Sequence, residues 1–142
     1  MSTDVKVILL VEDNRADIRL IQEAFISTAA RCEVVVVRDG MEAMSYLRQE
    51  GAYINVSLPD LILLDLNLPK KDGREVLAEI KTDLDLRHLP VIILTTSLNE
   101  EDICQSYNLH ANCYIVKSRN LAQFFKLIRG IEIFWLETAI LP

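Results

Sequence analysis

The most informative part of the chain is the stretch Leu61-Ile-Leu-Leu-Asp-Leu-Asn-Leu-Pro69. Its first four residues are aliphatic, too few for a typical helix, and an aspartate follows them at once. Continuous rather than alternating apolarity is typical of a strand that is buried on both faces of a parallel sheet. We therefore expect a buried strand over 61–64 that ends at the carboxylate of Asp65.

Similar aliphatic runs lie on both sides of this stretch. They cover residues 5–11, 33–37 and 91–94, with a weaker run over 112–116. Helical periodicity fills the gaps, over 15–28, 40–49, 73–83, 99–108 and 119–137. Strand alternates with helix five times, and short connections between buried parallel strands predict a doubly wound α/β sandwich.

Composition indicates one globular domain and excludes several classes of function. The chain has 142 residues, 51% of them hydrophobic, and carries 15 Lys and Arg against 21 Asp and Glu, for a net charge of -6. A nucleic-acid-binding protein normally shows a basic patch, so the charge argues against that class. No run approaches the roughly 20 apolar residues of a membrane span, and the N-terminus lacks the layout of a signal peptide.

The cysteines and glycines narrow the field further. Cys32, Cys104 and Cys113 are scattered and odd in number, which favours reduced core residues in a cytoplasmic protein. The four glycines are too far apart for a phosphate-cradling glycine-rich loop, and no cysteine pair has zinc spacing.

Polar residues follow the predicted strands, where ligands bind in open parallel sheets. Glu12 and Asp13 follow the first strand, Asp65 follows the third, Thr95 the fourth and Lys117 the fifth. Three crowded carboxylates repel one another, which raises their pKa values or demands a cation. Oxygen ligands without His or Cys indicate a hard ion, Mg²⁺. A carboxylate beside Mg²⁺, a lysine and a hydroxyl is equipped to take a phosphoryl group as an aspartyl phosphate.

Over residues 5–129 the chain resembles the receiver domains of two-component response regulators. The matching features, in chain order, are Glu12-Asp13, the stretch from Leu63 to Pro69 with Asp65 at the strand end, Asp72-Gly73, Thr95, and Lys117 after Tyr114-Ile-Val. The resemblance implies a flavodoxin-like (βα)5 fold with a five-stranded parallel sheet in the order 2-1-3-4-5.

The resemblance also implies where the chemistry takes place. Asp65 is expected to be the phosphoacceptor. The metal ligands implied for Mg²⁺ are Glu12, Asp13, Asp65 and the backbone carbonyl of Asn67. The implied phosphoryl donor is a sensor histidine kinase, and the chain catalyses only its own phosphorylation and dephosphorylation.

A conformational switch is implied as well. Thr95 is expected to hydrogen-bond the phosphoryl group, Lys117 to pair with Asp65 or its phosphate, and the Tyr114 ring to follow Thr95. Phosphorylation then biases a face near the fourth helix and fifth strand, and so changes the binding of partner proteins.

Two positions depart from the family pattern. The pair Glu12-Asp13 stands where the family often has two consecutive aspartates. The longer side chain of the glutamate is expected to keep metal coordination with altered geometry. Ser118 stands where the family usually has a proline, often after a cis peptide. A cis bond before serine costs about 2.5–4 kcal/mol, so we expect the trans form.

The C-terminal residues support a narrower resemblance, to small receivers that serve cyanobacterial phytochrome kinases. We expect residues 1–130 to form the receiver domain and 131–142 to be an extension that continues the last helix. Its apolar residues Phe134, Trp135 and Leu136 either fold back onto their own domain or form an exposed patch. We favour a contact in a symmetric homodimer.

Two other classes of function stay open from the residues alone. One is a phosphatase or phosphotransferase that uses an aspartyl phosphate, although such haloacid-dehalogenase-type enzymes place a second acid where this chain has Asn67. The other is a flavodoxin-like binding module or an adaptor that is not phosphorylated. Glu12 and Asp13 would repel the phosphate of a flavin unless a metal intervened.

Overall fold

A computed structural model describes residues 5–26 and 32–142. Within these residues five parallel strands form one sheet in the order β2-β1-β3-β4-β5. The strands are β1 (Lys6–Val11), β2 (Cys32–Val37), β3 (Leu61–Leu64), β4 (Val91–Thr95) and β5 (Cys113–Val116). The predicted flavodoxin-like sandwich and its strand order are therefore confirmed.

Helices connect the strands as the periodicity predicts. The described residues contain α1 (Arg15–Ile26), α2 (Gly40–Leu47), α3 (Gly73–Thr82), α4 (Glu100–Asn108) and α5 (Leu121–Ile131). Four of them begin at a side-chain cap, because Asp39, Asp72, Asn99 and Asn120 accept hydrogen bonds from first-turn N–H groups. Residues 27 and 28, predicted as the end of α1, lie outside the described residues. A short 3-10 helix over Gly51–Tyr53 was not predicted. The expectation that the cysteines lie in the core is wrong for Cys104, which is exposed on α4.

The core has two layers, one on each face of the sheet. Along β1, Leu9 and Val11 pack with α2 and α3, whereas Ile8 and Leu10 pack with α1 and α5. Successive side chains of a strand point to opposite faces, so a strand covered on both sides must be apolar throughout. This arrangement explains the continuous aliphatic runs of the sequence and leaves the strand ends as the place for polar side chains.

The edge strand β5 is covered in part by α4. The hydroxyl of Tyr107 on α4 accepts a hydrogen bond from the backbone N–H of Tyr114, at 3.1 Å. Of the nine residues of α4, Ser106 is the one that is buried. The helix is thus held against β5 with little apolar burial.

The last helix continues past α5 as a π-helix over Glu132–Thr138. Ile131 and Glu132 are buried, and Trp135 and Leu136 are half-buried against the α1/α5 layer. Phe134 is 55% exposed, with its ring 5.3 Å from that of Trp135 in an edge-to-face arrangement. Part of the segment therefore folds back onto its own domain, as one of the two arrangements considered from the sequence requires, and part of it is exposed, as the other requires. Across the described ranges, each helix is too short or too polar to cross a membrane.

Candidate functional site

The site is built on an acidic cluster at the carboxyl ends of neighbouring strands. Glu12 and Asp13 follow β1, and Asp65 follows β3. The backbone N–H of Asp65 donates to the carbonyl of Val11 at 3.1 Å. One carboxylate oxygen from each of the three acids lies within 4.8 Å of the other two. Glu12 and Asp65 are buried and Asp13 is exposed. The three oxygens could hold a hard cation.

Lys117 brings a buried positive charge to this cluster. The residue follows β5, and its side chain is 5% exposed. Its backbone N–H donates to the carbonyl of Thr95 at 2.8 Å. The ammonium donates to Glu12 Oε1 at 2.5 Å, to Asp17 Oδ2 at 2.8 Å and to Asp65 Oδ2 at 3.2 Å. An ammonium has three N–H donors, so each of them has a carboxylate partner.

The crowding of carboxylates around one ammonium group shifts the pKa values of Glu12 and Lys117. Burial and the charge of Asp65 raise the pKa of Glu12 to about 7, although the ammonium of Lys117 acts in the opposite direction. Burial acts to lower the pKa of Lys117, but hydrogen bonds to Asp17 and Glu12 and the charge of Asp65 hold it above its ordinary value. The lysine therefore stays charged at neutral pH, and the cluster around it favours a further cation.

Thr95 offers an unused hydroxyl at the same edge of the sheet. It ends β4, is fully buried, and its Oγ1 has no hydrogen-bond partner among the described residues. A buried hydroxyl without a partner costs free energy, so this group is suited to a ligand that brings an acceptor oxygen.

Tyr114 and the loop after β4 form a connected set of hydrogen bonds beside the site. The half-buried tyrosine donates its hydroxyl to the carbonyl of Ser97 at 2.9 Å, and burial raises its pKa. Ser97 Oγ donates to Asp102 Oδ2 at 2.7 Å, and Arg74 Nη2 donates to Asp102 Oδ1 at 2.7 Å. The loop between β4 and α4 is thereby tied to the first turn of α3.

Gly73 allows α3 to begin directly against the site. Its N–H donates to the carbonyl of Leu66 at 2.9 Å, and a Cβ at this position would lie 2.2 Å from the carbonyl oxygen of Asp65. No other residue fits this approach without moving the backbone. The loop between β3 and α3 carries Asn67, which is exposed. The backbone nitrogen of Asn67 lies 3.4 Å from Asp65 Oδ1, to which it donates.

The sequence model of the response regulator receiver domain matches residues 8–129. The chain belongs to this family. The resemblance found from the strand-end residues is confirmed, and so is the expectation of a signalling protein. The family match favours this function over the phosphatase and flavin-binding alternatives.

The proteins similar to this receiver include a phytochrome response regulator. The chain is 59% identical to Response regulator Rcp1 of Synechocystis sp. over 141 residues, 99% of this chain and 96% of that protein. A crystal structure of the phosphorylated cyanobacterial phytochrome response regulator RcpA matches with a TM-score of 0.95 and 68% identity, over 98% of this chain and 99% of that one. The Mn²⁺-bound form of Rcp1 matches with a TM-score of 0.94 and 60% identity, over 96% and 99%.

The receiver fold brings most of the expected site residues to one edge. Glu12, Asp13, Asp65 and Lys117 lie within one cluster, and Thr95 ends the strand beside β3. The C-terminal residues Phe134, Trp135 and Leu136 lie apart from it, on the last helix. Asp17 was missed, because nothing in a helical pattern marks which acidic residue of α1 will meet a lysine 100 residues away.

Proposed function

We propose that Asp65 accepts a phosphoryl group from a phytochrome-type sensor histidine kinase and that the added charge switches partner binding. The observation that carries this proposal is the placement of Asp65 between the Lys117 ammonium and an acidic cluster that could hold a divalent cation. On one side its carboxylate lies 3.2 Å from the Lys117 ammonium, and on the other it shares the acidic cluster with Glu12 and Asp13. A nucleophile so placed can hold a phosphoryl group whose charge is offset from both directions.

The residues present fit a divalent cation, and we propose Mg²⁺ in this role. The donor set is all oxygen, from Glu12, Asp13 and Asp65, to which the backbone carbonyl of Asn67 would be added. The relative Rcp1 has a Mn²⁺-bound form. When bound, the cation would neutralise charge on the phosphoryl oxygens during transfer.

The chain's own residues account for the rest of the transfer. A carboxylate oxygen of Asp65 attacks phosphorus, the bond from phosphorus to the donor's imidazole nitrogen breaks, and its electron pair stays on the imidazole. Lys117 donates a hydrogen bond to a phosphoryl oxygen, and Thr95 supplies the hydroxyl that now has no partner in the described residues. In dephosphorylation, water attacks phosphorus, the bond from phosphorus to the Asp65 oxygen breaks, and inorganic phosphate leaves with the protons of the water. The proposal is that the chain catalyses only these two reactions of its own.

The proposal includes an output face near α4 and β5. Movement of Thr95 toward the phosphoryl group would shift the loop after β4, where Tyr114 holds the carbonyl of Ser97. The small apolar burial of α4 makes it easier to displace than the other helices. A change on this face would alter contacts with a downstream protein.

The partners and location follow from the same proposal. The phytochrome kinase is supported by the similarity of the chain to the phytochrome response regulator RcpA and to the bacteriophytochrome response regulator AtBRR, with which it shares 46% identity. A cytoplasmic location, where kinase and regulator would meet, belongs to the proposal, as does a homodimer contact through Phe134, Trp135 and Leu136.

The test is intact-mass spectrometry after incubation with Mg²⁺ and acetyl phosphate. Wild-type protein is expected to gain one phosphoryl group, and Asp65→Asn is expected to gain none, because an amide is not a nucleophile for phosphorus. The matched control is Asp85→Asn, an exposed aspartate between α3 and β4, which should be phosphorylated like wild type. A phosphoryl group retained by Asp65→Asn would refute the assignment.

A further inference from the structure

Lys117 has three carboxylate partners, and two of them have other roles in the proposed reaction. Glu12 and Asp65 belong to the acidic cluster that would bind a cation, and Asp65 also receives the phosphoryl group. Asp17 lies outside that cluster, yet its Oδ2 is 2.8 Å from the Lys117 ammonium, closer than Asp65 at 3.2 Å. Asp17 is therefore the partner whose contact with the ammonium need not be broken when the site is loaded.

The position of Asp17 is fixed by the start of α1. Its N–H donates to Asn14 Oδ1 at 3.0 Å, and the N–H of Asn14 donates to Glu12 Oε2 at 3.1 Å. These bonds tie the first turn of the helix to the acidic residue that follows β1. Asp17 is 23% exposed and the Lys117 side chain 5%, so the carboxylate faces the buried ammonium from the rim of the site.

We propose that Asp17 is a positioning residue that keeps the Lys117 ammonium at the phosphoryl group during transfer. The inference rests on the proposed function. A cation held by Glu12 and Asp65 would compete with the ammonium for their oxygens, and a lysine carries its charge on a flexible four-carbon stem. The hydrogen bond to Asp17 limits that freedom, so one ammonium hydrogen stays on α1 while the other two face the reacting oxygens.

Two rival explanations predict different results for substitutions at this position. If Asp17 only contributes to folding stability, its loss changes the unfolding midpoint but not the rate of phosphorylation of the folded protein. If its negative charge alone matters, Asn and Ala replacements have the same effect. A positioning role requires only an acceptor at this place, and the amide oxygen of asparagine supplies one.

The experiment measures the initial rate of phosphoryl incorporation into the full chain from acetyl phosphate, at saturating Mg²⁺. Asp17→Ala is expected to lower the rate about tenfold, and Asp17→Asn to stay within about threefold of wild type. In a Lys117→Ala background, Asp17→Ala should cause no further decrease, because its effect passes through the lysine. Circular dichroism verifies that each variant is folded. If Asp17→Ala fails to fold, Asp17→Ser replaces it, since its hydroxyl is too short to keep the contact.

The matched control is Glu23→Ala, which removes one negative charge from the same helix. The Glu23 side chain is 53% exposed and pairs with Arg19, and this variant should react at the wild-type rate. A wild-type rate for Asp17→Ala, or an Asn variant as slow as the Ala variant, would overturn the positioning role while leaving the proposed function standing. A wild-type protein that takes up no phosphate would instead refute the proposed function, and the positioning role with it.

Discussion

The hydroxyl of Thr95 bears on the proposed switch because of what it lacks. Its Oγ1 is buried without a partner in the described part of the chain, which penalises the unphosphorylated protein. The phosphoryl oxygens proposed on Asp65 would satisfy this hydroxyl. The penalty is then removed in the phosphorylated state alone, and this difference favours movement of Thr95 toward the site.

Thr95→Val tests this account, because valine has nearly the shape of threonine without the hydroxyl. We expect the unphosphorylated variant to match or exceed wild type in free energy of unfolding, by up to about 1 kcal/mol. Urea denaturation measures the difference. The control is Thr82→Val, which removes a hydroxyl that donates to the carbonyl of Ala78 at 2.7 Å and should bring no such gain. A clear loss of stability in Thr95→Val would contradict the account.

The sequence predicts the positions of some site residues but not which charged residues pair with one another. The strand-end positions of Asp65 and Lys117 were predictable, since the carboxyl ends of parallel strands share one edge of the sheet. Asp17 and the pairing of Arg74 with Asp102 were not, because helical periodicity identifies a polar face but not the partner of a charge on it. Such contacts depend on how elements far apart in the sequence are placed in three dimensions.

At the scale of elements, the loop between β4 and α4 is held by a side chain from α3. Arg74 reaches Asp102 in the first turn of α4, and Ser97 in the loop donates to the same carboxylate. Hydrogen bonds from Arg74 and Ser97 hold the pKa of Asp102 below its ordinary value. The pairing therefore links α3 and α4 most firmly while Asp102 is ionised.

This pairing predicts an acid-dependent contribution to stability. A carboxyl group whose pKa is lowered by folding stabilises the protein above its unfolded value, near 3.9, and loses that effect as the pH falls through the lower folded value. Asp102→Asn should thus be less stable than wild type at pH 7, and the difference should shrink below about pH 4. Urea unfolding at several pH values measures it, with the exposed neighbour substitution Glu101→Gln as control. A difference that is constant with pH would count against the pairing.

Elements also show where periodicity stops being informative. The 3-10 helix Gly51–Tyr53 is a single turn, too short to establish a repeat. The apolar stripe predicted a helix to residue 137, and the chain does continue helically to Thr138. That stripe could not reveal that Glu132–Thr138 is a π-helix. A pattern of apolar residues does not show whether each backbone N–H bonds to the carbonyl four residues earlier or to the one five residues earlier.

At the scale of the whole molecule, the last helix offers both a buried and an open side. Trp135 and Leu136 pack on the α1/α5 layer, whereas Ile133 and Phe134 are about half exposed. The sequence could predict that this stripe needs a partner but not which residues the chain itself would cover. The open side is where we propose the contact between two copies of the chain.

Phe134→Ser tests that contact by removing an exposed ring. Light scattering is expected to give twice the 16.2 kDa chain mass for wild type and the single-chain mass for the variant. Ile54→Ser serves as the control, because Ile54 is also exposed but lies beside the 3-10 helix. An unchanged mass for Phe134→Ser would remove this residue from the proposed contact.

The hydrogen bond between Tyr107 and the backbone of Tyr114 has a consequence for solubility. An edge strand with free N–H groups is a template on which strands of other molecules can add, and this is a route to aggregation. Here the edge strand has four residues, and a tyrosine hydroxyl from α4 occupies one of its amides. This N–H group is therefore not available to pair with a strand of another molecule.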